Sequence, residues 1–226
     1  MVLIASPPPA KTPSPLYRKL ASGSFLLRIF DPTQYSTRAT TFRYYGPINR
    51  FDHQRLALGG CPAERSETRQ RLLPAGNCAE DPERGISYAG LTLSCCLVEC
   101  FGDTGTIEIK DQQIGRIQLT RDLTLLDLRA NGAMRAGSVT ALAKVADRNL
   151  SQAWSRYFYE QTDLYGQIDG ISFLNAHNDE EAFAIYERAQ AALICPDDRI
   201  LPLAHPSLRP AIQQAALDNH LDFLPT

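Results

Sequence analysis

Arg84-Gly-Ile-Ser-Tyr-Ala-Gly-Leu-Thr-Leu-Ser-Cys-Cys-Leu-Val-Glu99 is the stretch that decides the fold, because a strand and the start of a helix lie within it. Residues 85–90 read as a short buried strand. Thr92 then suits an N-cap, and Leu93, Cys96, Leu97, Cys100 and Phe101 repeat at helical spacing. At about 100° per residue, Glu99 falls roughly 130° from the centre of that apolar stripe, on the flank of Thr92 and Cys95. Two readings are open from spacing alone. Tyr88 is core and Glu99 a solvated helix residue, or strand end and helix deliver a ring and a carboxylate to one cleft.

The wider chain narrows the class. A length of 226 residues suits one globular domain with a sizeable core. Lys and Arg number 23 against 25 Asp and Glu, and the signs are interspersed. A net charge of -2 gives no reason to propose nucleic acid as a partner. Met1-Val-Leu-Ile-Ala-Ser-Pro-Pro-Pro is too short an apolar run for a signal peptide, and no later run reaches membrane-spanning length. The chain therefore reads as cytoplasmic, with no membrane partner. The six cysteines (61, 78, 95, 96, 100 and 195) make no CxxC pair, and the four histidines show no metal-ligand spacing. Reduced thiols and no metal are expected, with Cys100 on the buried stripe.

Residues 1–20 form a proline-rich, poorly ordered lead-in, 21–200 the main body, and 201–226 a helical extension. A charged segment rich in Gly and Pro, 59–83, reads as a long surface loop and candidate substrate cover. Strand-like runs follow at 106–110, 114–120 and 123–128, the first two as a hairpin. The periodicity predicts a helix over 136–162, broken near Asn149 and recapped at Ser151, with Trp154, Tyr157 and Phe158 on one face. A strand at 168–174 leads into a helix over 179–190, with Asn178 as cap, Glu181 at the capping-box position, and Phe183 and Tyr186 inward. Residues 191–195 read as a last strand. Residues 206–220 form an amphipathic helix, packed on the outside or used against a partner. The elements make a mixed α/β (α+β) fold.

The spacing of Tyr88 and Glu99 behind a strand ending in Tyr-Ala resembles the RES domain. Further matches run in order. Leu27-Arg28-Ile29-Phe30 is similar to that family's opening strand with its Arg, and Gly46-Pro47-Ile48-Asn49-Arg50-Phe51-Asp52-His53 to its Arg-Phe segment. Asp169-Gly170-Ile171-Ser172-Phe173 is similar to its late strand. The resemblance covers roughly residues 24 to 196. The family's Ser falls near Asn175, so either Asn175 replaces it or Ser172 takes over its role.

The resemblance implies a single RES domain similar to the ADP-ribosyltransferase fold. It also implies NAD as the substrate, cleaved at the nicotinamide–ribose bond. Such a step releases a neutral leaving group, and a carboxylate facing the oxocarbenium-like ribose lowers its barrier. Glu99 is the candidate for that role, Tyr88 for stacking on nicotinamide, and Arg50 and Arg28 for the diphosphate. Ser172 or Asn175 would bind alongside, and His177 is a candidate pocket wall. His53 reads as a partner for Asp52. Tyr88 and Glu99 are expected to tolerate truncation, whereas Leu97 and Phe101 are core. The resemblance further makes a helix-turn-helix antitoxin a possible partner, and a second copy of the chain remains open as another. Macromolecular ADP-ribosylation and a degenerate NAD-binding protein are the alternative functions. No dinucleotide-binding Gly-x-Gly-x-x-Gly or P-loop motif is present.

Overall fold

The computed structural model describes residues 4–56 and 79–224. Most of the 59–83 segment, with Cys61 and Cys78, lies outside the described residues.

The strands in chain order are β1 (Tyr17–Leu20), β2 (Phe25–Phe30), β3 (Tyr45–Gly46), β4 (Ala79–Glu80), β5 (Ile86–Gly90), β6 (Thr106–Glu108), β7 (Gln113–Leu119) and β8 (Leu123–Asp127). They continue as β9 (Gly170–Leu174), β10 (Glu181–Tyr186), β11 (Leu193–Ile194), β12 (Ile200–Pro202) and β13 (Asp222–Leu224). The α-helices are α1 (Leu93–Phe101), α2 (Asn131–Arg135), α3 (Arg148–Glu160), α4 (Thr162–Tyr165) and α5 (Arg209–Asp218). One sheet runs β1-β8-β9-β10-β5-β2-β7-β11, with β12 also on β7. Only β8 and β9 pair in parallel within it.

The centre of the sheet is β10, flanked by β9 and β5. Ile171, Ala184 and Tyr88 stand opposite one another on these three strands, as do Ser172, Phe183 and Ala89. Since strand side chains alternate, the two rows project from opposite faces. The Tyr88 face is covered by Trp154 and Phe158 of α3, together with Phe51, Phe173 and Tyr186. On the other face Phe183 and Ile185 meet Leu26, Phe30, Ala39 and Phe42. Beside α1, Leu97 and Phe101 pack on Ile212, Ala215 and Ala216 of α5. Gly170 is obligatory where β9 begins: its φ is +157°, and a Cβ there would come within 2.3 Å of the Ala184 carbonyl oxygen.

Several sequence expectations are corrected. Residues 181–186 are a strand, and a short 3₁₀ turn replaces the rest of the expected helix. Ala182 to Tyr186 are buried on both faces, and such a short apolar run cannot be assigned to strand or helix by period. Residues 106–110 and 114–120 form no hairpin, because β6 pairs with β13 and β7 with β2. Ser151 is buried inside α3 and donates to the Arg148 carbonyl at 3.1 Å. Asp147 caps that helix instead, accepting from the Asn149 amide at 3.0 Å. The lead-in is built into the body: Tyr17–Leu20 pair with Leu123–Leu126, and Trp154 Nε1 donates to the Ala5 carbonyl at 2.8 Å.

Candidate functional site

Residues 84–101 fold much as their spacing predicts. Thr92 Oγ accepts from the Cys95 amide at 2.9 Å, and α1 runs from Leu93 to Phe101. The buried face is wider than the stripe suggests, taking in Cys95, Cys96, Leu97, Val98 and Phe101. Cys100 turns outward and is exposed, contrary to its expected core position. Cys95 turns inward, where Asn175 Nδ2 approaches its sulfur at 3.5 Å. Leu97 and Phe101 are core, as expected.

Glu99 lies on the exposed flank of α1, within electrostatic range of His177, Arg50, Asp103 and Arg148. The residue is exposed, yet partial desolvation by the surrounding protein raises its pKa above the ordinary glutamate value. His177, Arg50 and Arg148 pull it back down, and Asp103 adds to the rise. The His177 ring lies against Gly102, where a Cβ would meet its Nδ1 at 2.6 Å. Its Nε2 is 3.7 Å from an Asp103 carboxylate oxygen. Asn175 builds the loop that carries His177. Its buried Oδ1 accepts from the His177 and Asn178 amides, each at 2.9 Å, and its Nδ2 donates to Asn178 Oδ1 at 2.7 Å.

Arg50 comes from the loop after Gly46-Pro47 and is half-buried. Burial lowers its pKa first and the neighbouring Arg148 second, against the pull of Glu99, Tyr88 and Asp103. Arg50 Nη1 donates to the Val145 carbonyl, and Arg148 Nη1 donates back to the Ile48 carbonyl at 3.2 Å. The two loops thus clasp one another. Lys144 and Asp179 pair between the second of these loops and the His177 loop.

Tyr88 belongs to the same assembly through its hydroxyl. It donates to Asp52 Oδ1 at 2.9 Å and accepts from the Phe51 amide at 3.0 Å. Asp52 is fully buried and also accepts from Arg43 Nη2 at 2.9 and 2.7 Å and from the Asn49 amide at 2.8 Å. Burial, then the Asp52 charge, pushes the Tyr88 phenol well above its ordinary pKa, so it stays a neutral donor. Tyr88 therefore ties strand β5 to the Arg50 loop, with its ring half-buried against the core.

The remaining candidates are placed elsewhere. Arg28 Nη1 reaches the carbonyls of Ala39 and Thr41 and lies 2.8 Å from Ser87 Oγ, on the face away from Tyr88. Burial and the nearby Arg43 lower its pKa to about 10, so it remains charged at neutral pH. Ser172 also lies on the far face, fully buried and donating to Glu181 Oε1 at 2.8 Å. His53 pairs with Glu187 at 3.0 Å instead of with Asp52. Asp169 takes two bonds from Arg121, at 3.0 and 2.7 Å, and one from the Thr124 amide at 2.8 Å, which gives it a structural role. Arg148 and Asp103 join the Glu99 group without any local signal in the sequence. Among the described residues, no group of three or more His, Cys, Asp and Glu side chains is arranged to hold a metal ion. No helix among them is long and apolar enough to cross a membrane.

The assembled site combines a carboxylate, two guanidinium groups and an aromatic ring, suited to a ligand with separate cationic and anionic parts. Over 85 residues the chain is 28% identical to the probable toxin y4kH of Sinorhizobium fredii (strain NBRC 101917 / NGR234), covering 38% of this chain. That alignment spans 65% of the relative, just under two thirds of its length. The crystal structure of the M. tuberculosis MbcT–MbcA toxin–antitoxin complex aligns with a TM-score of 0.46 at 14% identity, covering 87% of this chain and 92% of that one. A family model for the RES domain matches residues 25–205, from the first residue of β2 to the turn before α5. That match takes in the whole Glu99 group, and the chain belongs to the RES domain family.

Proposed function

We propose that the protein consumes NAD by cleaving the nicotinamide–ribose bond. The observation that carries this reading is the gathering around α1 of the Arg50 and Arg148 loops, clasped to each other, and of the His177 ring, seated against Gly102, so that all three charges bear on the exposed Glu99 beside the half-buried ring of Tyr88. The residues fit a dinucleotide: the guanidiniums match phosphate oxygens, and the carboxylate suits a sugar that becomes cationic.

In the step itself the C–N bond to the pyridinium breaks, and its electron pair stays on nitrogen. Neutral nicotinamide departs without a general acid. Glu99 opposes the positive charge that develops on the ribose and accepts from its hydroxyls. The Tyr88 ring lies along the nicotinamide, its tilt set by the Asp52 bond. Arg50 holds the diphosphate. An acceptor oxygen then bonds to the ribose carbon and loses its proton. The acceptor is water, phosphate or a macromolecular group, giving a glycohydrolase, a phosphorylase or an ADP-ribosyltransferase. A toxic role on expression accords with the relative named a probable toxin, and an antitoxin partner is what the resemblance to the RES family implies.

The second reading, a degenerate NAD-binding protein, is favoured by Asn175 at the family's Ser position. Against it, Asn175 is buried and shapes the His177 loop, so the exchange leaves Glu99 itself unaltered. The test follows free nicotinamide when purified protein is incubated with NAD. Release by the wild type that is lost in Glu99→Ala supports the enzyme. Equal release by both, or release by neither, overturns it.

A further inference from the structure

Arg148 carries no signal of function in the sequence, yet its side chain is tied to the Arg50 loop. Both side chains are half-buried. Each donates to a backbone carbonyl of the other's loop, Val145 for Arg50 and Ile48 for Arg148. Gln152, one turn further along α3, adds a bond from Nε2 to the Asn49 carbonyl at 3.0 Å. Each guanidinium is thereby anchored on the other's loop, close enough for the Arg148 charge to act on Arg50. Among the described residues, neither forms an ion pair with a carboxylate within 4.0 Å, whereas ten other Arg, Lys and His residues do.

Holding two like charges together in a partly desolvated place costs free energy, and an anion between them relieves it. Resting on the NAD reading above, we infer that Arg50 and Arg148 together form the anion subsite of the cleft and take the diphosphate of the dinucleotide. The pair supplies two positive charges to a group carrying two negative ones. Glu99 and Asp103 repel the phosphates and attract the nicotinamide-bearing ribose, so charge alone sets which way round the ligand lies. Arg28 cannot share this task as placed, because its head is tied to the Ser87 side of the sheet.

The inference is tested with ADP-ribose and nicotinamide riboside as probes, titrated calorimetrically into the full chain. The key variant is Arg148→Gln, which keeps a polar donor of similar stem but has lost the charge. ADP-ribose should bind about 10- to 100-fold more weakly to Arg148→Gln, the span of one lost charge-assisted hydrogen bond. Arg148→Lys should fall between, since it keeps the charge without the fork. Nicotinamide riboside, which has no diphosphate, should bind all three alike. With NAD, KM should rise while kcat stays within about threefold, the mark of lost ground-state binding. If Arg148→Gln, folded by circular dichroism, binds ADP-ribose as the wild type does, Arg148 is only a strut and the inference fails. It fails equally if the wild type does not bind ADP-ribose. Weakened binding in a chain that releases no nicotinamide would leave the subsite standing and sink the enzyme reading instead.

Discussion

Protein packed around the exposed Glu99 removes part of the hydration of its carboxylate, a cost felt only by the charged form, so Glu99 holds its proton to higher pH than a free glutamate. Its folded pKa lies above the unfolded value of 4.5, so between the two the native state binds more protons. Stability therefore falls slightly as pH rises through that window, the cost of the Glu99 charge being reduced by solvent screening at an exposed residue. Glu99→Gln should melt at or above the wild-type temperature at pH 7 while losing about 100-fold or more of nicotinamide release. A clear drop in melting temperature would mean that the longer-range attraction of Arg50, Arg148 and His177 for its charge supports the fold. Tyr88 behaves oppositely, and the expected tolerance to truncation is revised. Tyr88→Phe leaves Asp52 without one donor and the Phe51 amide without its acceptor, a loss of about 1–3 kcal/mol in denaturant unfolding. An unchanged midpoint would show that water replaces the hydroxyl. Tyr88 and Glu99 were legible because eleven residues of local structure fix their relation. Arg148 was not, since Asp147-Arg148-Asn149 reads like any solvated helix start and only the clasp with Ile48 makes it part of the site.

At the level of elements, what could be read locally survived and what depended on pairing did not. The Thr92 cap, α1 and β5 follow from residues within one turn or strand. The 179–190 segment failed because Glu-Glu-Ala-Phe-Ala-Ile-Tyr suits a helix by propensity, while its place between β5 and β9 makes it a strand. The hairpin failed because adjacency in sequence is only a tendency, and β7 finds its partner in β2 across more than eighty residues. Ala184 separates the two possibilities at its position. On a helix with Phe183 and Tyr186 inward it would face solvent, and Ala184→Asp would be mild. On β10 it is fully buried opposite Tyr88 and Ile171, so the same change buries an unpaired charge. A destabilisation of about 3–5 kcal/mol, or failure to fold, is expected, read as loss of soluble protein or of the unfolding transition. A soluble Ala184→Asp variant with wild-type stability would remove β10 from the sheet.

Across the whole molecule, the Arg50 loop is fastened at two levels: Asp52 holds it to β5, and His53 holds it to the far end of β10. His53 is fully buried between the rings of Tyr159 and Tyr186, with centroids at 4.4 and 4.3 Å. Its Nε2 lies 3.0 Å from Glu187, while its buried Nδ1 has no hydrogen-bond partner among the described residues. Burial lowers its pKa below 6.5, outweighing the opposite pull of Glu187 and Asp52, and Arg84 lowers it further. The unfolded chain takes up this proton near pH 6.5, whereas the folded chain resists it until lower pH. The corresponding stability is therefore fully present above that pH and is lost as the pH falls through the interval below it. Glu187 acts in a separate window, because its folded pKa is lowered and its contribution fades only below about 4.5. Glu99 has the opposite sign, so the raw pH curve mixes both effects, and comparison with a variant isolates His53. Chemical denaturation from about pH 7 to about pH 5.5 should show the wild type losing stability relative to His53→Gln, which cannot titrate. Because His53 adjoins Asp52, the same acid shift should loosen the Arg50 loop, and hydrogen exchange at residues 48–53 should quicken in the wild type alone. Parallel stability curves for the two proteins would mean that folding does not change the proton affinity of His53, and its burial would then have no bearing on how the loop is held.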